Sequence, residues 1–225
     1  MKKDKGLFIV LDGIDGAGKA TQTALLLEKL KAKGYKTGTI DFPRYYDNFF
    51  GKLVGRHLSG EFGNSDPHLA SVLYALDRWE SKEKIEKEIK AGKIFVCNRY
   101  MSANMIHQGG RVQDAKARIK MIKWLEEMEF DVFKIPKPDL VIYLDVLPEI
   151  GQKLVDKKSS RAYTKGKKRD IYEEDKQHLI DARNQALRLV KSKKEWKKIN
   201  CMKRGEMQNP EIIGEIVWKK VEKFL

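Results

Sequence analysis

One stretch limits what this chain can fold into more than any other: Gly13-Ile14-Asp15-Gly16-Ala17-Gly18-Lys19-Ala20-Thr21. The apolar run Leu7-Phe8-Ile9-Val10-Leu11 precedes it and a helical pattern, Thr21 to Leu30, follows. A short β-like run, a glycine-rich turn and a helix start, with G-x-x-x-x-G-K spacing, are the context of a phosphate-binding loop. Glycines let successive backbone N–H groups turn inward, and the helix N-terminus adds partial positive charge where phosphate oxygens lie. In such a loop Lys19 bridges the outer phosphates. One position departs from the pattern. The Ser or Thr whose hydroxyl ligates Mg²⁺ is Ala20 here, and Thr21, about 100° further round a helix, is no direct substitute.

Beyond the loop, Tyr35 to Asp41 reads as a strand that stops at Phe42-Pro43-Arg44, and Lys93 to Cys97 as another that stops at Asn98-Arg99-Tyr100. Asp139 to Asp145 is a nearly continuous apolar run, as in a strand buried on both faces. Trp196 to Cys201 closes the set of strands. Helical spacing covers Phe49 to Leu58 and Pro67 to Ile89, the latter with an N-cap and first-turn proline at Asp66-Pro67. Leu69, Val72, Leu73, Leu76, Ile85 and Ile89 fall on one face of that second helix, while Tyr74 and Arg78, at i and i+4, share another. A helix from Ser102 presents Asn104, His107 and Gln108, pauses at Gly109-Gly110, and resumes through Ile119, Ile122, Trp124, Leu125 and Met128 to Phe133. Shorter or later helices are expected from Leu147 to Val155, Ile171 to Val190 and Pro210 to Leu225.

This alternation predicts one α/β domain over residues 1–225, a parallel sheet covered on both faces. Ligands collect outside the carboxyl ends of such strands, which makes Arg44 and Arg99 candidate phosphate contacts. Asp156 to Asp170 holds Lys157, Lys158, Arg161, Lys165, Lys167, Lys168 and Arg169 with almost no apolar residue. That segment reads as a mobile basic lid between two helices.

A net charge of +14 suits a polyanionic partner. The lysines are nevertheless scattered over helical faces rather than gathered into a stripe, and no nucleic-acid motif accompanies them, so no nucleic-acid partner is expected. Residues 1–6 are largely charged and no run reaches the roughly 18 to 20 apolar residues of a membrane span. Cys97 and Cys201, without metal spacing, fit a reduced cytoplasmic protein.

With these landmarks placed, the chain resembles the thymidylate kinase family nearly end to end. The features that carry the resemblance are Leu11-Asp12-Gly13-Ile14-Asp15-Gly16-Ala17-Gly18-Lys19 with Thr21-Gln22; Phe42-Pro43-Arg44; Asp77-Arg78-Trp79-Glu80; Arg99-Tyr100 with Asn104 and His107-Gln108-Gly109; Pro138-Asp139-Leu140-Val141; and Tyr172-Glu173. The resemblance implies a P-loop kinase fold: a five-stranded parallel sheet with helices on both faces and a mobile lid. It implies transfer of the γ-phosphoryl of ATP to dTMP in dTTP synthesis, with Mg²⁺, by a homodimer. Gly13 to Thr21 would cradle the ATP phosphates, with Lys19 on the transferring group. Asp15 would accept from the dTMP 3′-hydroxyl and help hold Mg²⁺ through water. Arg44 and Arg99 look like acceptor-phosphate clamps in a pocket bordered by Phe42 and Pro43, and Arg78 like a group reaching the base. Tyr74 would stack on thymine, Asn104 and Gln108 would hydrogen-bond its edge, and Tyr172 would close over the sugar.

Some members of that family carry a catalytic arginine in the phosphate loop and others supply it from the lid. Gly16 and Ala17 occupy the loop positions here, so the resemblance points to the lid, with Arg161 and Arg169 as candidates. Two departures touch the metal: Ala20 lacks the hydroxyl, and Asn98 stands where the family has the aspartate of an Asp-Arg pair. They leave open a catalytically weakened nucleotide-binding protein. Another nucleoside monophosphate kinase or a deoxynucleoside kinase is a further alternative.

Overall fold

A computed structural model describes residues 6–63, 65–156 and 175–225. Five parallel strands, β1 (Leu7–Asp12), β2 (Thr37–Asp41), β3 (Ile94–Asn98), β4 (Leu140–Asp145) and β5 (Trp196–Asn200), form one sheet in the order β2-β3-β1-β4-β5. The expected five-stranded parallel sheet is thus observed. β1 and β4 are its most apolar strands and sit at or beside its centre. β4 is buried at every position, as a strand covered on both faces must be. β1 lies in register with β3 from Leu7↔Ile94 to Leu11↔Asn98, so the carboxyl ends of these neighbours finish level. The phosphate loop and Arg99 therefore emerge side by side.

Helices α1 (Lys19–Ala32), α2 (Phe49–Leu58), α3 (Pro67–Glu80), α4 (Lys82–Lys90), α5 (Met101–Arg111), α6 (Ala115–Glu126), α7 (Pro148–Asp156), α8 (Lys176–Ser192) and α9 (Pro210–Val221) complete the described chain, with a short hairpin, β6 (Met202–Lys203) and β7 (Glu206–Met207). The sheet's apolar side chains and those of its helices join one core, in which Phe8 meets Tyr100 edge-to-face at 4.9 Å. Each such fully buried side chain contributes about 1.5–3 kcal/mol relative to exposure.

Four local readings change. The helix expected from Pro67 to Ile89 is two, broken at Ser81, whose N–H bonds back to Arg78 and which also opens α4. The face of α3 that is buried is polar: Ser71, Asp77 and Arg78 are buried beside Ala70 and Ala75, whereas Leu69 is exposed. Gly109-Gly110 does not interrupt α5. A Cβ on Gly110 would stand 3.0 Å from the carbonyl carbon of Asp181, so the glycines let α8 pack close instead of breaking the helix. The hairpin after β5 escaped the sequence reading because its strands are two residues long; its turn residues Arg204 and Gly205 both have positive φ, which suits a tight hairpin. The end of α6 is also unusual, since Glu127–Val132 continues it as a π-helical turn.

Candidate active site

At the carboxyl ends of β1, β2 and β3 lies a cleft of about 410 Å³. Its lining includes Asp15, Lys19, Ala20, Phe42, Pro43, Arg44, Tyr74, Arg78, Arg99, Asn104 and Gln108. Residues spread over 94 positions of sequence thus converge in one place, because each follows a strand end or sits on a helix facing one.

The phosphate loop curls as its glycines require. Gly16 takes φ 80°, and a Cβ there would meet the carbonyl oxygen of Gly151 in α7 at 2.1 Å. Lys19, at the first turn of α1, donates to the carbonyls of Gly13 and Ile14 at 3.0 and 2.9 Å and lies 4.0 Å from Asp15. Asp12, fully buried at the end of β1, accepts from Gly13 N–H and from the Ser102 hydroxyl and so ties the loop to α5. Burial pushes its carboxyl up, against the pull of Arg99 and Lys19.

Arg99 adopts a left-handed backbone, φ 63°, and donates its own N–H to Leu11 at 2.9 Å. Such a conformation is costly for a non-glycine residue and characteristic of sites where geometry is imposed. It aims the guanidinium at Asp15, which accepts from Nη2. Burial opposes ionisation of Asp15, but Arg99 and then Lys19 outweigh it and hold the carboxyl well below the usual range. Burial also opposes the charge on Arg99; Asp15 and Asp12 overcome it and keep the guanidinium firmly protonated.

Facing the loop is a wall of buried polar groups. Arg78 donates from Nε and Nη2 to the two oxygens of Glu129, both at 2.6 Å, and neither residue is accessible beyond 2%. Asn104 Nδ2 donates to the same carboxylate and to the Ser71 carbonyl, each at 3.0 Å. Gln108 Oε1 accepts from Arg111 at 2.9 Å. Tyr74 stands beside His57, edge to face at 6.3 Å.

The loop after β2 is held by α3. Asp77 accepts from Arg44 N–H at 3.0 Å and from Asn48 Nδ2 at 2.9 Å, and Glu80 accepts the N–H groups of Phe49 and Phe50 at the start of α2. The Arg44 guanidinium reaches Ser81 and Asp47.

The family model for thymidylate kinase matches residues 11–211. This chain belongs to the thymidylate kinase family. A probable thymidylate kinase of Thermococcus kodakarensis is 32% identical over 219 residues, covering 93% of this chain and 97% of the relative. The thymidylate kinase of Mycobacterium tuberculosis is 29% identical over 171 residues, 75% of this chain and 78% of the relative. The solved structure of thymidylate kinase from Candida albicans superimposes with a TM-score of 0.74 at 20% identity, covering 97% of this chain and 92% of that one, a likeness of fold.

Of the family positions expected from sequence, the cleft gathers Asp15, Gly16, Gly18, Lys19, Ala20, Phe42, Pro43, Arg44, Tyr74, Arg78, Arg99, Asn104 and Gln108. Gly13, Ile14 and Ala17 are buried under the loop, where only their backbone serves it, and Thr21 is exposed on α1 outside the lining. Arg161, Arg169, Tyr172 and the lid lie outside the described residues. Tyr45, Tyr46 and Asp41 line the cleft without having been singled out for it, and His107, noted in the sequence without a role, joins them. The Glu129 carboxylate was missed too. It stands 51 positions from Arg78 in a π turn, and no local pattern marks a partner at that distance.

Mg²⁺ needs little protein ligation where phosphates and water complete its shell. The residues present fit that arrangement: Asp15 is ionised, a quarter exposed and at the cleft beside Lys19, while no cluster of three His, Cys, Asp or Glu among the described residues forms a dedicated cage. Asn98 hydrogen-bonds Asp41, its register partner on β2, and both face the cleft.

Proposed function

We propose that this chain transfers the γ-phosphoryl of ATP to dTMP, giving dTDP and ADP. The observation that carries the choice of base is the orientation of Asn104. Both partners of its Nδ2 are acceptors, so the nitrogen is committed to them and Oδ1 is the group it offers to the cleft. A thymine or uracil edge presents N3–H to such an acceptor; cytosine presents a lone pair there and is rejected. Glu129 engages Nε and Nη2 of Arg78, and on this reading Nη1 donates to O4 of the base. The thymine methyl adds only about 1–3 kcal/mol of preference over uracil, through apolar contact.

Phosphoryl transfer here rests on positioning and charge, with no covalent enzyme intermediate. The inward N–H groups of Gly13 to Thr21 take the donor phosphates, and Lys19 leaves the two loop carbonyls to follow the migrating group. Arg44 and Arg99 hold the acceptor phosphate in line, and Asp15 accepts from the 3′-hydroxyl. Asp15 would hold Mg²⁺ through water, and the ion would supply positive charge against the transferring phosphate. An arginine at Gly16 would collide with the α7 backbone, which supports the lid as its source, from Arg161 or Arg169. Tyr172, outside the described residues, is the residue that the family resemblance assigns to the sugar.

We further infer a homodimer built on α3 and α6. Leu69 and Ile119 are more than half exposed there, and His68 and Trp124 link the two helices at 4.8 Å. No helix among the described residues is long and apolar enough to cross a membrane, and the buried free thiols of Cys97 and Cys201 suit a reducing compartment such as the cytoplasm. The test is ADP formation from ATP and Mg²⁺ with dTMP, dUMP, UMP, dCMP, AMP and thymidine offered separately. Turnover is expected with dTMP, less with dUMP, and little with dCMP or thymidine. Equal turnover of dCMP would sink the Asn104 reading.

A further inference from the structure

The close crossing of α5 and α8 brings together two histidines that the mechanism above does not use. The rings of His107 and His178 have centroids 5.4 Å apart and planes 21° from parallel. His107 Nε2 lies 2.9 Å from Arg99 Nη1, and His107 Nδ1 lies 3.2 Å from His178 Nε2. A guanidinium only donates, so Nε2 of His107 must accept, and its ring proton sits on Nδ1. That proton is then donated to His178 Nε2. One consistent order of protons runs from Arg99 through His107 to His178.

We propose that His107 is a positioning residue for phosphoryl transfer: it holds Nη1 of Arg99 while Asp15 holds Nη2, fixing the guanidinium plane against the acceptor phosphate, and His178 sets the tautomer that allows it. This rests on the reading that Arg99 clamps that phosphate. With two nitrogens gripped from different elements, rotation of the guanidinium is suppressed before substrate arrives. The surroundings favour the neutral rings. Burial, Arg99 and Lys19 press on His107 from β3 and the loop, and burial with Arg111 of α5 presses on His178, outweighing Asp15, Asp175 and Asp181. A protonated His107 would turn an N–H toward Arg99 and lose the contact.

The first measurement is ¹⁵N NMR of the histidine side chains in the wild-type protein at pH 7. His107 is expected as the Nδ1–H tautomer; an Nε2–H tautomer or an imidazolium overturns the proposal. The second is kinetic. His107→Phe keeps the ring volume without the acceptor and is expected to raise KM for dTMP about tenfold, the worth of one hydrogen bond to a charged group, with KM for ATP unchanged. His107→Gln, which restores an acceptor, is expected to recover most of that loss. Unchanged KM for dTMP in His107→Phe overturns the brace. Arg99→Lys separates the two readings: unchanged KM for dTMP there overturns the clamp itself, whereas a raised value beside an unaffected His107→Phe overturns the brace alone.

Discussion

The two walls of the cleft use their polar groups differently. On the base side, Arg78, Glu129, Asn104 and Ser71 are bonded to one another through buried contacts of 2.6–3.0 Å. On the phosphate side, Lys19 rests on the carbonyls of its own loop and the Arg44 guanidinium on Ser81 and Asp47, contacts that a phosphate would replace. One wall is therefore bonded throughout before substrate binds; on the other Arg99 is already held by Asp15 and His107, while Lys19 and Arg44 rest on contacts that substrate would replace. On the proposed assignment, base recognition and Arg99 are preorganised, while Lys19 and Arg44 take their final positions around the nucleotides.

That contrast can be broken from either side, and the transfer side should break hardest. Arg161→Ala or Arg169→Ala, whichever supplies the arginine, is expected to lower kcat by about 10³-fold or more with little change in KM for dTMP. Steady-state kinetics of both variants decides it, and normal turnover in both would place the arginine elsewhere. On the recognition side, Glu129→Ala strands the Arg78 charge in the core and should cost about 3–5 kcal/mol of stability by urea unfolding. A loss under 1 kcal/mol would show that the wall is not the closed unit described. Asn104→Ala should lower kcat/KM for dTMP by roughly 10- to 100-fold and narrow the preference over dCMP. An undiminished preference would move base reading to other residues.

Two smaller effects sharpen the picture. The histidine pair makes the α5–α8 contact acid-sensitive. His178 is pushed down to about 4 by burial, with Arg111 adding to it, while an unfolded histidine titrates near 6.5. Below about 6.5 the unfolded chain takes up a proton that the folded chain refuses, so stability falls as pH drops from there to about 4. His178→Leu should lose less over that window than wild type; parallel curves would contradict the assignment. Smallest is the metal. Ala20→Thr with Asn98→Asp restores a hydroxyl and a carboxylate and should lower the midpoint of the Mg²⁺ titration, and an unchanged midpoint would mean that phosphates and water already suffice.

The parts of this architecture that follow local rules were legible in the sequence. Strand order of burial, the phosphate loop and the strand-end arginines come from periodicity and from glycine chemistry, which act over a few residues. The polar face of α3 was not legible, because Asp77 and Glu80 are buried or spent on the backbone of a loop more than 25 positions away, and apolar spacing had pointed to Leu69 instead. Arg78 illustrates the same limit. Its place on the helix was readable, but whether it meets solvent or a carboxylate depends on a π turn that no sequence period announces. Gly109-Gly110 was read as a pause because glycine weakens helices; the tertiary advantage of close approach to α8 prevailed.

The contact between Gly16 and Gly151 couples two residues that are 135 positions apart. Neither position has room for a side chain: a Cβ on Gly16 would meet the Gly151 carbonyl oxygen, and one on Gly151 would lie 2.5 Å from the carbonyl oxygen of Asp15. An arginine introduced at position 16 by one substitution would meet the α7 backbone before any benefit appeared. On the proposed lid assignment, moving the arginine to position 16 crosses a steric barrier in sequence space, and a designer wishing to cross it must shift α7 first.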